Sequence, residues 1–464
     1  MAELIPPAAY EQSGNRDGGS PPSPEPGNRG RDQGGTSPPA PQAEPEARAS
    51  RATGAPRESG GRETRRKARA SRRRGRARKS APRAVTPASE PASAAEWLAS
   101  SEQSRLAFVG SEAAAPTTPP PVAASPAAHP TPGRQAYAAI DLGTNNCRLL
   151  IARPAGEHFV VVDAFSRVVR LGEGLAQSGR LSDEAMDRAV AALRICADKL
   201  RRRNVHLARS VATEACRRAS NGAEFIERVR RETGIVLDII SAGEEARLAV
   251  LGCHILLEPG PGPASIFDIG GGSTELVLLE PGAEPPRILD WVSVPWGVVS
   301  LSESCAAEGP DEAARRARYA EMRGHVQSSF AAFGERIAHL RQAAAEGTGP
   351  PLRLLGTSGT VTTLASVHLD LPQYDRNAVD GLIVPATAMR AINHRLSTLS
   401  LAERRELPCI GRDRADLVVA GCAILDAILD LWPAHRLGVA DRGIREGILR
   451  SLIGISGVPA RAAR

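Results

Sequence analysis

Two short stretches constrain the fold more than any other feature of the chain: "AIDLGTNNCRLLIA" (Ala139–Ala152) and "IFDIGGGSTELVLL" (Ile266–Leu279). Each is an apolar run that ends near an Asp, crosses a short polar turn containing glycine, and returns as a second apolar run. That is the pattern of a strand, a turn and a strand. Three consecutive glycines lose the most backbone entropy on folding. Something must therefore approach the second turn so closely that a Cβ would block it. Successive backbone N–H groups in such a turn form a concavity that suits an anion, most often phosphate. Gly270, Gly271 and Gly272 make the turn, and Ser273 and Thr274 add hydroxyls. Asp268 and Glu275 are hard oxygen ligands of the kind Mg²⁺ takes. Asp141 heads the first copy, whose turn is Gly143, Thr144, Asn145 and Asn146, followed by Arg148.

Around the two copies, strand-like and helix-like segments alternate, which argues for an α/β class. "LSDEAMDRAVAALRICADKLRRRN" has a Ser182 cap, an acidic first turn and apolar spacing near 3.6. "NGAEFIERVRRETG" is a helix ended by Gly234. "ARSVATEACRRAS" is a short strand running into a polar turn, and "GEEARLAVLGCHILL" is a helix. "LRLLGTSGTVTTLASV" reads as strand, glycine turn, helix, and "HRLGVADRGIREGILRSLIG" as a last strand and helix. Two Asp-headed hairpins in tandem α/β halves are the outline of the actin-like fold. The expected organisation is a tail over 1–134, a first actin-like domain over 136–250, and a second over 251–456 that includes the C-terminal helix.

The charge is unevenly placed. Residues 1–134 carry 20 Lys/Arg against 13 Asp/Glu, which accounts for the whole formal charge of +7. The rest of the 464 residues carry 39 of each sign. The tail is rich in Pro, Gly, Ala and Ser, so it is expected to be disordered. Its block "RETRRKARASRRRGRARKS" is either a polyanion-binding arm or a solvated extension. The first residues contain no apolar core of a signal peptide, and no run reaches the ~18 apolar residues of a membrane span. "DLVVAGCAILDAILDLW" is interrupted by Asp426 and Asp430 and reads as a buried helix. Seven scattered cysteines include no C-x-x-C pair, which argues against zinc or redox motifs and for reduced thiols in the cytoplasm.

Other phosphate-binding designs are absent. There is no G-x-x-x-x-G-K-[ST]. "LGEGLAQSG" has the wrong spacing for a dinucleotide turn. Arg217 follows a strand, where its guanidinium can fork onto phosphate oxygens. Glu244 and Glu245 open a helix, a position that also suits acidic residues through the helix dipole alone.

The stretches "AIDLGTNNCRLLIA", "VATEACRRASN", "IISAGEEARLAVLG", "DIGGGSTELV" and "GTSGTVTTLA", in this order, resemble the exopolyphosphatase/guanosine pentaphosphate phosphohydrolase (Ppx/GppA) family, from about Ala136 to about Leu452. The resemblance implies two actin-like (ribonuclease H-like, ASKHA superfamily) domains flanking a cleft, and hydrolysis of a terminal phosphoanhydride. It implies Glu245 as general base, Arg217 as a phosphate contact, and Asp268 and Glu275, with Asp141, as carboxylates associated with Mg²⁺ or Mn²⁺. The two turns, with Arg148, would hold phosphate. Many relatives read Ser-Asn-Ser where this chain reads Thr144-Asn145-Asn146, which replaces a hydroxyl by an amide. The likeness is to the short form of the family, without a C-terminal HD-type domain, so processivity on long chains is in question. The expected substrate is inorganic polyphosphate, with guanosine pentaphosphate as the alternative. A non-catalytic sensor and a kinase of the same superfold are more distant readings. A polyanion for the tail and a second copy of the chain in a homodimer complete the expected partners.

Overall fold

The structure is a computed structural model that describes residues 135–156, 158–280 and 286–455. The tail expected over 1–134 lies outside these residues. The chain forms two mixed sheets. The first contains β1 (Ala136–Leu142), β2 (Asn146–Ala155), β3 (His158–Val168), β4 (Val205–Ala212) and β5 (Asp238–Ile239), in the order β3-β2-β1-β4-β5. The second contains β6 (Ala264–Ile269), β7 (Thr274–Leu279), β8 (Ile288–Val294), β9 (Arg353–Thr357), β10 (Ile383–Pro385) and β11 (Arg436–Ala440), in the order β10-β11-β9-β6-β7-β8. Leaving aside the edge strand β10, the two orders are the same. In both sheets an antiparallel three-strand meander is followed by strands parallel to its first member. This duplicated topology is the actin-like, ribonuclease H-like fold.

Strand parity places the two leading aspartates. In β1, Ala136, Ala138, Ile140 and Leu142 pack on one face, against α1 (Asp183–Arg202). Tyr137 and Ala139 pack on the other. Asp141 shares the face of Tyr137 and Ala139, because successive side chains alternate. In β6, Phe267 and Ile269 belong to one core and Ala264 and Ile266 to another. Asp268 shares the face of Ala264 and Ile266. Both carboxylates thus stand at the C-terminal ends of first strands, in the same position of each half.

Local signals explain most boundaries. Ser182 Oγ caps α1 by accepting from the Ala185 N–H at 3.2 Å. Gly234, at φ 74°, ends the helix α3 (Gly222–Thr233). "ATEACRRAS" is not the plain polar turn expected: Glu214–Arg218 forms one helical turn, α2, closed by Arg217 N–H on Thr213 O at 3.1 Å. The apolar segment near Asp416–Trp432 forms α8 (Val418–Leu431), buried nearly all round between α6 (Glu312–Arg336) and its neighbours. Asp426 is paid off there by Tyr319 and Asn393, each donating at 2.7 Å. Among the described residues no helix is long and apolar enough to cross a membrane.

The last helix, α9 (Ile444–Ile455), was expected with the second domain, but its apolar face packs on the first sheet. Ile444, Ile448, Leu449 and Leu452 join Tyr137, Ala139, Leu150 and Val211. The reason is that this sheet is apolar on both faces, and α1 and α3 cover only one. Helix α4 (Ala242–Cys253) lies beside α9 and serves both halves: Leu248 and Ala249 face the first sheet, while Ala246, Val250 and Cys253 face the second.

The α4–α9 crossing is too close for side chains at its glycines. A Cβ on Gly447 would sit 1.9 Å from Leu248 O, and one on Gly252 would sit 2.0 Å from Gly443 O. Gly447→Ala should therefore destabilise the protein by about 1–3 kcal/mol, because the obstacle is backbone. Gly324→Ala, in open space inside α6, should stabilise it by about 0.5–1 kcal/mol. Denaturant midpoints of both variants check the pair; equal effects at the two sites would contradict the crossing.

Candidate active site

The two glycine turns are built alike. In the first, Gly143 N–H donates to Asn146 O at 2.9 Å; in the second, Gly270 N–H donates to Ser273 O at 2.9 Å. None of the three consecutive glycines has a positive φ. What they need is space. A Cβ on Gly271 would meet Thr144 Cβ at 2.9 Å and Asn145 N at 3.1 Å. One on Gly272 would meet a Glu214 carboxylate oxygen at 1.8 Å and Thr144 Oγ1 at 2.8 Å. The intruder anticipated in the sequence is thus the opposite turn itself, with Glu214 beside it.

Carbonyls of both turns are tied back into the protein. Val298 N–H donates to Gly270 O, Val299 N–H to Gly271 O and Ser300 Oγ to Gly272 O, all from the start of α5 (Val298–Ser304). On the other side, the Val169 and Arg170 N–H groups donate to Asn145 O, and Gly172 N–H to Thr144 O. Gly172 of "LGEGL" therefore braces a turn, while Gly174 N–H donates to Glu303 Oε1 at 3.0 Å. Among the described residues, the N–H groups of Thr144, Asn145, Gly271 and Gly272 have no protein acceptor. With carbonyls engaged and amides open, the paired turns have the chemistry to receive anion oxygens.

Around them is a cleft with two connected parts. A small part, of about 80 Å³, is lined by Asp141, Gly143 to Asn146, Arg148, Glu214, Glu245, Asp268 and Gly270 to Ser273. A larger part, of about 270 Å³, shares Asp141, Arg148, Asp268, Ser358 and Gly359 and adds Tyr374, Arg414, Asp441, Arg442 and Arg445. It lies outside the C-terminal ends of β9 and β11, where α/β sheets place ligands.

Burial dominates the electrostatics. It raises the Asp268 carboxyl to about 8, with Glu275 pushing the same way and Arg148 opposing. It also raises Asp141, against the opposing pull of Arg148 and Arg445. Glu245 is raised well above the ordinary carboxylate range by burial and then by Glu275, with Arg217 opposing. Glu275 is raised by burial despite hydrogen bonds from Ser293 and Ser273. On the positive side, burial lowers Arg414 and Arg445. Neither Arg148 nor Arg445 has a side-chain hydrogen bond among the described residues, so both guanidiniums are available to an anion.

Not every expected site residue lines the cleft. Arg217 Nη1 donates to Ile240 O at 2.8 Å and to Glu245 Oε2 at 3.2 Å, so it holds the carboxylate of Glu245. Glu275 Oε1 accepts from Ser273 Oγ at 2.8 Å and Ser293 Oγ at 2.7 Å, behind the turn. Thr274 Oγ1 donates to Trp296 O at 2.7 Å and faces away. Asp141 and Asp268 are the carboxylates on the wall shared by both parts, and a divalent cation fits them: two hard oxygen groups, both disfavoured as bare anions by burial. Glu214, Arg414, Arg442 and Arg445 were not singled out in the sequence. The signal for the last two was present in "VADRGIREG", a strand ending in a charged turn.

The sign of the Asp268 shift gives a pH test. A carboxyl whose folded value lies above its ordinary value binds the proton more tightly when folded, so its contribution to stability is full at low pH and is lost as pH rises from about 4 to about 8. With divalent ions chelated, Asp268→Asn should raise Tm more at pH 8 than at pH 5. An equal shift at both pH values would contradict the raised value.

Comparison with known proteins identifies the family. Residues 150–454 match the profile of the Ppx/GppA phosphatase family. A Haemophilus influenzae protein provisionally named an exopolyphosphatase is 30% identical over 320 residues, covering 68% of this chain and 90% of that protein. A solved exopolyphosphatase-like protein superimposes with a TM-score of 0.59 at 28% identity, covering 68% of this chain and 97% of its own. The Aquifex aeolicus Ppx/GppA structure gives 0.55 at 26% identity, covering 70% and 99%. With the family profile matched over residues 150–454 and solved relatives superimposing on the fold, the chain belongs to the Ppx/GppA phosphatase family.

Proposed function

We propose that the protein is an exopolyphosphatase, which hydrolyses the terminal phosphoanhydride of inorganic polyphosphate and releases orthophosphate. The observation that carries this reading is the junction of the two cleft parts. Open amides of both turns end where a larger chamber, walled by Arg148, Arg414 and Arg445, begins. A linear polyanion suits that layout: one end in the turns, the next phosphates against guanidiniums. Among the described residues that line this chamber, Tyr374 is the one aromatic side chain.

Phosphoryl transfer asks for positioning and charge neutralisation more than for covalent catalysis. The amides of Thr144, Asn145, Gly271 and Gly272 would hold oxygens of the terminal phosphoryl group. Glu245, on the wall of the small part, would accept the proton of water as the water oxygen bonds to the terminal phosphorus. The bond from that phosphorus to the bridging oxygen breaks, and the shortened chain leaves with the electron pair, its new terminal oxygen facing Arg148. Arg217 is the positioning residue for Glu245, not a phosphate grip. Burial and the neighbouring Glu275 hold the Glu245 carboxyl well above the ordinary carboxylate range, which strengthens it as a proton acceptor. Mg²⁺ or Mn²⁺ held by Asp141 and Asp268 would supply neutralisation of phosphoryl charge, and Glu275 would act on it only from behind.

The basic segment of the tail would gather substrate electrostatically, and the seven unpaired cysteines suit a reducing cytoplasm. The same turns could engage guanosine pentaphosphate, so the two substrates are compared directly. With divalent cation present, kcat/KM for long-chain polyphosphate should exceed that for guanosine pentaphosphate; the reverse order would assign the chain to the nucleotide reaction. Glu245→Gln should lower kcat by about 10²-fold or more while substrate binding stays within a few-fold. Arg217→Met should lower kcat with little change in KM; a rise in KM alone would restore Arg217 as a phosphate contact.

A further inference from the structure

At the other end of α5 from the glycine turn, three metal-ligand side chains meet. Cys305 follows the last residue of α5, and Glu321 and His325 stand one turn apart on α6. A sulfur, a carboxylate oxygen and an imidazole nitrogen from these residues all lie within 4.8 Å of one another. Around a tetrahedral Zn²⁺, with bonds of 2.0–2.3 Å, donors stand about 3.4–3.7 Å apart. The donors are thus within about 1 Å of that spacing, and Glu321 and His325 are already 3.8 Å apart. A Glu and a His four apart on a helix could be only an ion pair, here at 3.8 Å. That account leaves out the buried sulfur aimed at the same point.

The surroundings hold the donors in place. The His325 ring packs on Trp296, with centroids 5.4 Å apart, and Trp296 Nε1 donates to Ser329 Oγ at 2.8 Å, one turn along α6. Arg318 binds the Cys305 turn from both sides, donating to Ser302 O at 3.2 Å and Ala306 O at 2.7 Å. We propose that Cys305, Glu321 and His325 form a site for a Zn²⁺-class ion that fastens the end of α5 to α6. Thiolate and imidazole donors exclude Mg²⁺ and favour borderline-soft divalent ions. With three protein ligands, the fourth position is left to water. The site is separate from the carboxylates of the cleft, and its test does not depend on the proposed reaction.

The probe is Co²⁺ titrated into the full chain, followed by the near-ultraviolet charge-transfer band that a thiolate ligand produces. The expected result is one equivalent bound with that band, displaced by Zn²⁺, and lost in Cys305→Ser. Glu321→Gln and His325→Ala replace half-exposed side chains, and each should weaken binding by roughly tenfold or more while the far-ultraviolet circular dichroism stays that of the parent. Cys409→Ser, at the half-buried cysteine elsewhere, should keep the band. No band with the full chain, a band that survives Cys305→Ser, or affinity unchanged in both Glu321→Gln and His325→Ala would overturn the proposal.

Discussion

Buried negative charge is the constraint on which the site depends. Asp141, Glu245 and Asp268 on the cleft wall, with Glu275 behind the glycine turn, are withdrawn from water, and each is harder to ionise than an exposed carboxyl. Beside them, open amides and uncommitted guanidiniums invite anions. Either set alone would be unstable in the presence of what the other attracts. On the proposed reading, the guest would be a phosphate chain accompanied by a divalent cation, in which both signs are present at short range.

The architecture serves that juxtaposition. Two copies of one topology bring two Asp-headed hairpins face to face, and strand parity turns both aspartates toward the shared interior. The glycines of the second turn let the turns touch, with Gly271 against Thr144 and Gly272 against Glu214. Helix α4 lies between the sheets and carries Glu245 in its first turn, capped by Ser241 Oγ at 3.2 Å from the Glu244 N–H. Glu245 therefore stands where both halves meet. Its dipole-favoured position on the helix and its place on the cleft wall are compatible, and the ordinary explanation for an acidic N-terminus does not account for its burial.

Much of this was legible in the residues. The repeated hairpin fixed both turns and both aspartates, because a period of two and a glycine cluster are local features. The turn amides are backbone groups, so the change to Thr144-Asn145-Asn146 leaves them open. What stayed hidden depends on tertiary contacts. Arg217 reads as a phosphate ligand in isolation and becomes a clamp on Glu245 only once α2 and the start of α4 come within hydrogen-bond distance. Glu275 reads as a metal ligand until Ser273 and Ser293 claim its oxygen. The C-terminal helix was assigned by chain order, whereas its packing follows from the uncovered apolar face of the first sheet. Arg414 comes from a loop with no recognisable pattern, and only the fold brings it to the chamber.

The central claim is that both turns grip one terminal phosphate. The most direct measurement is a crystal structure of the Glu245→Gln protein with tripolyphosphate and Mg²⁺. The account predicts one terminal phosphate whose oxygens accept hydrogen bonds from N–H groups of both turns, Thr144 or Asn145 on one side and Gly271 or Gly272 on the other, with the next phosphates facing Arg148 and Arg445. A terminal phosphate held by a single turn, or lodged wholly among the arginines, would contradict it.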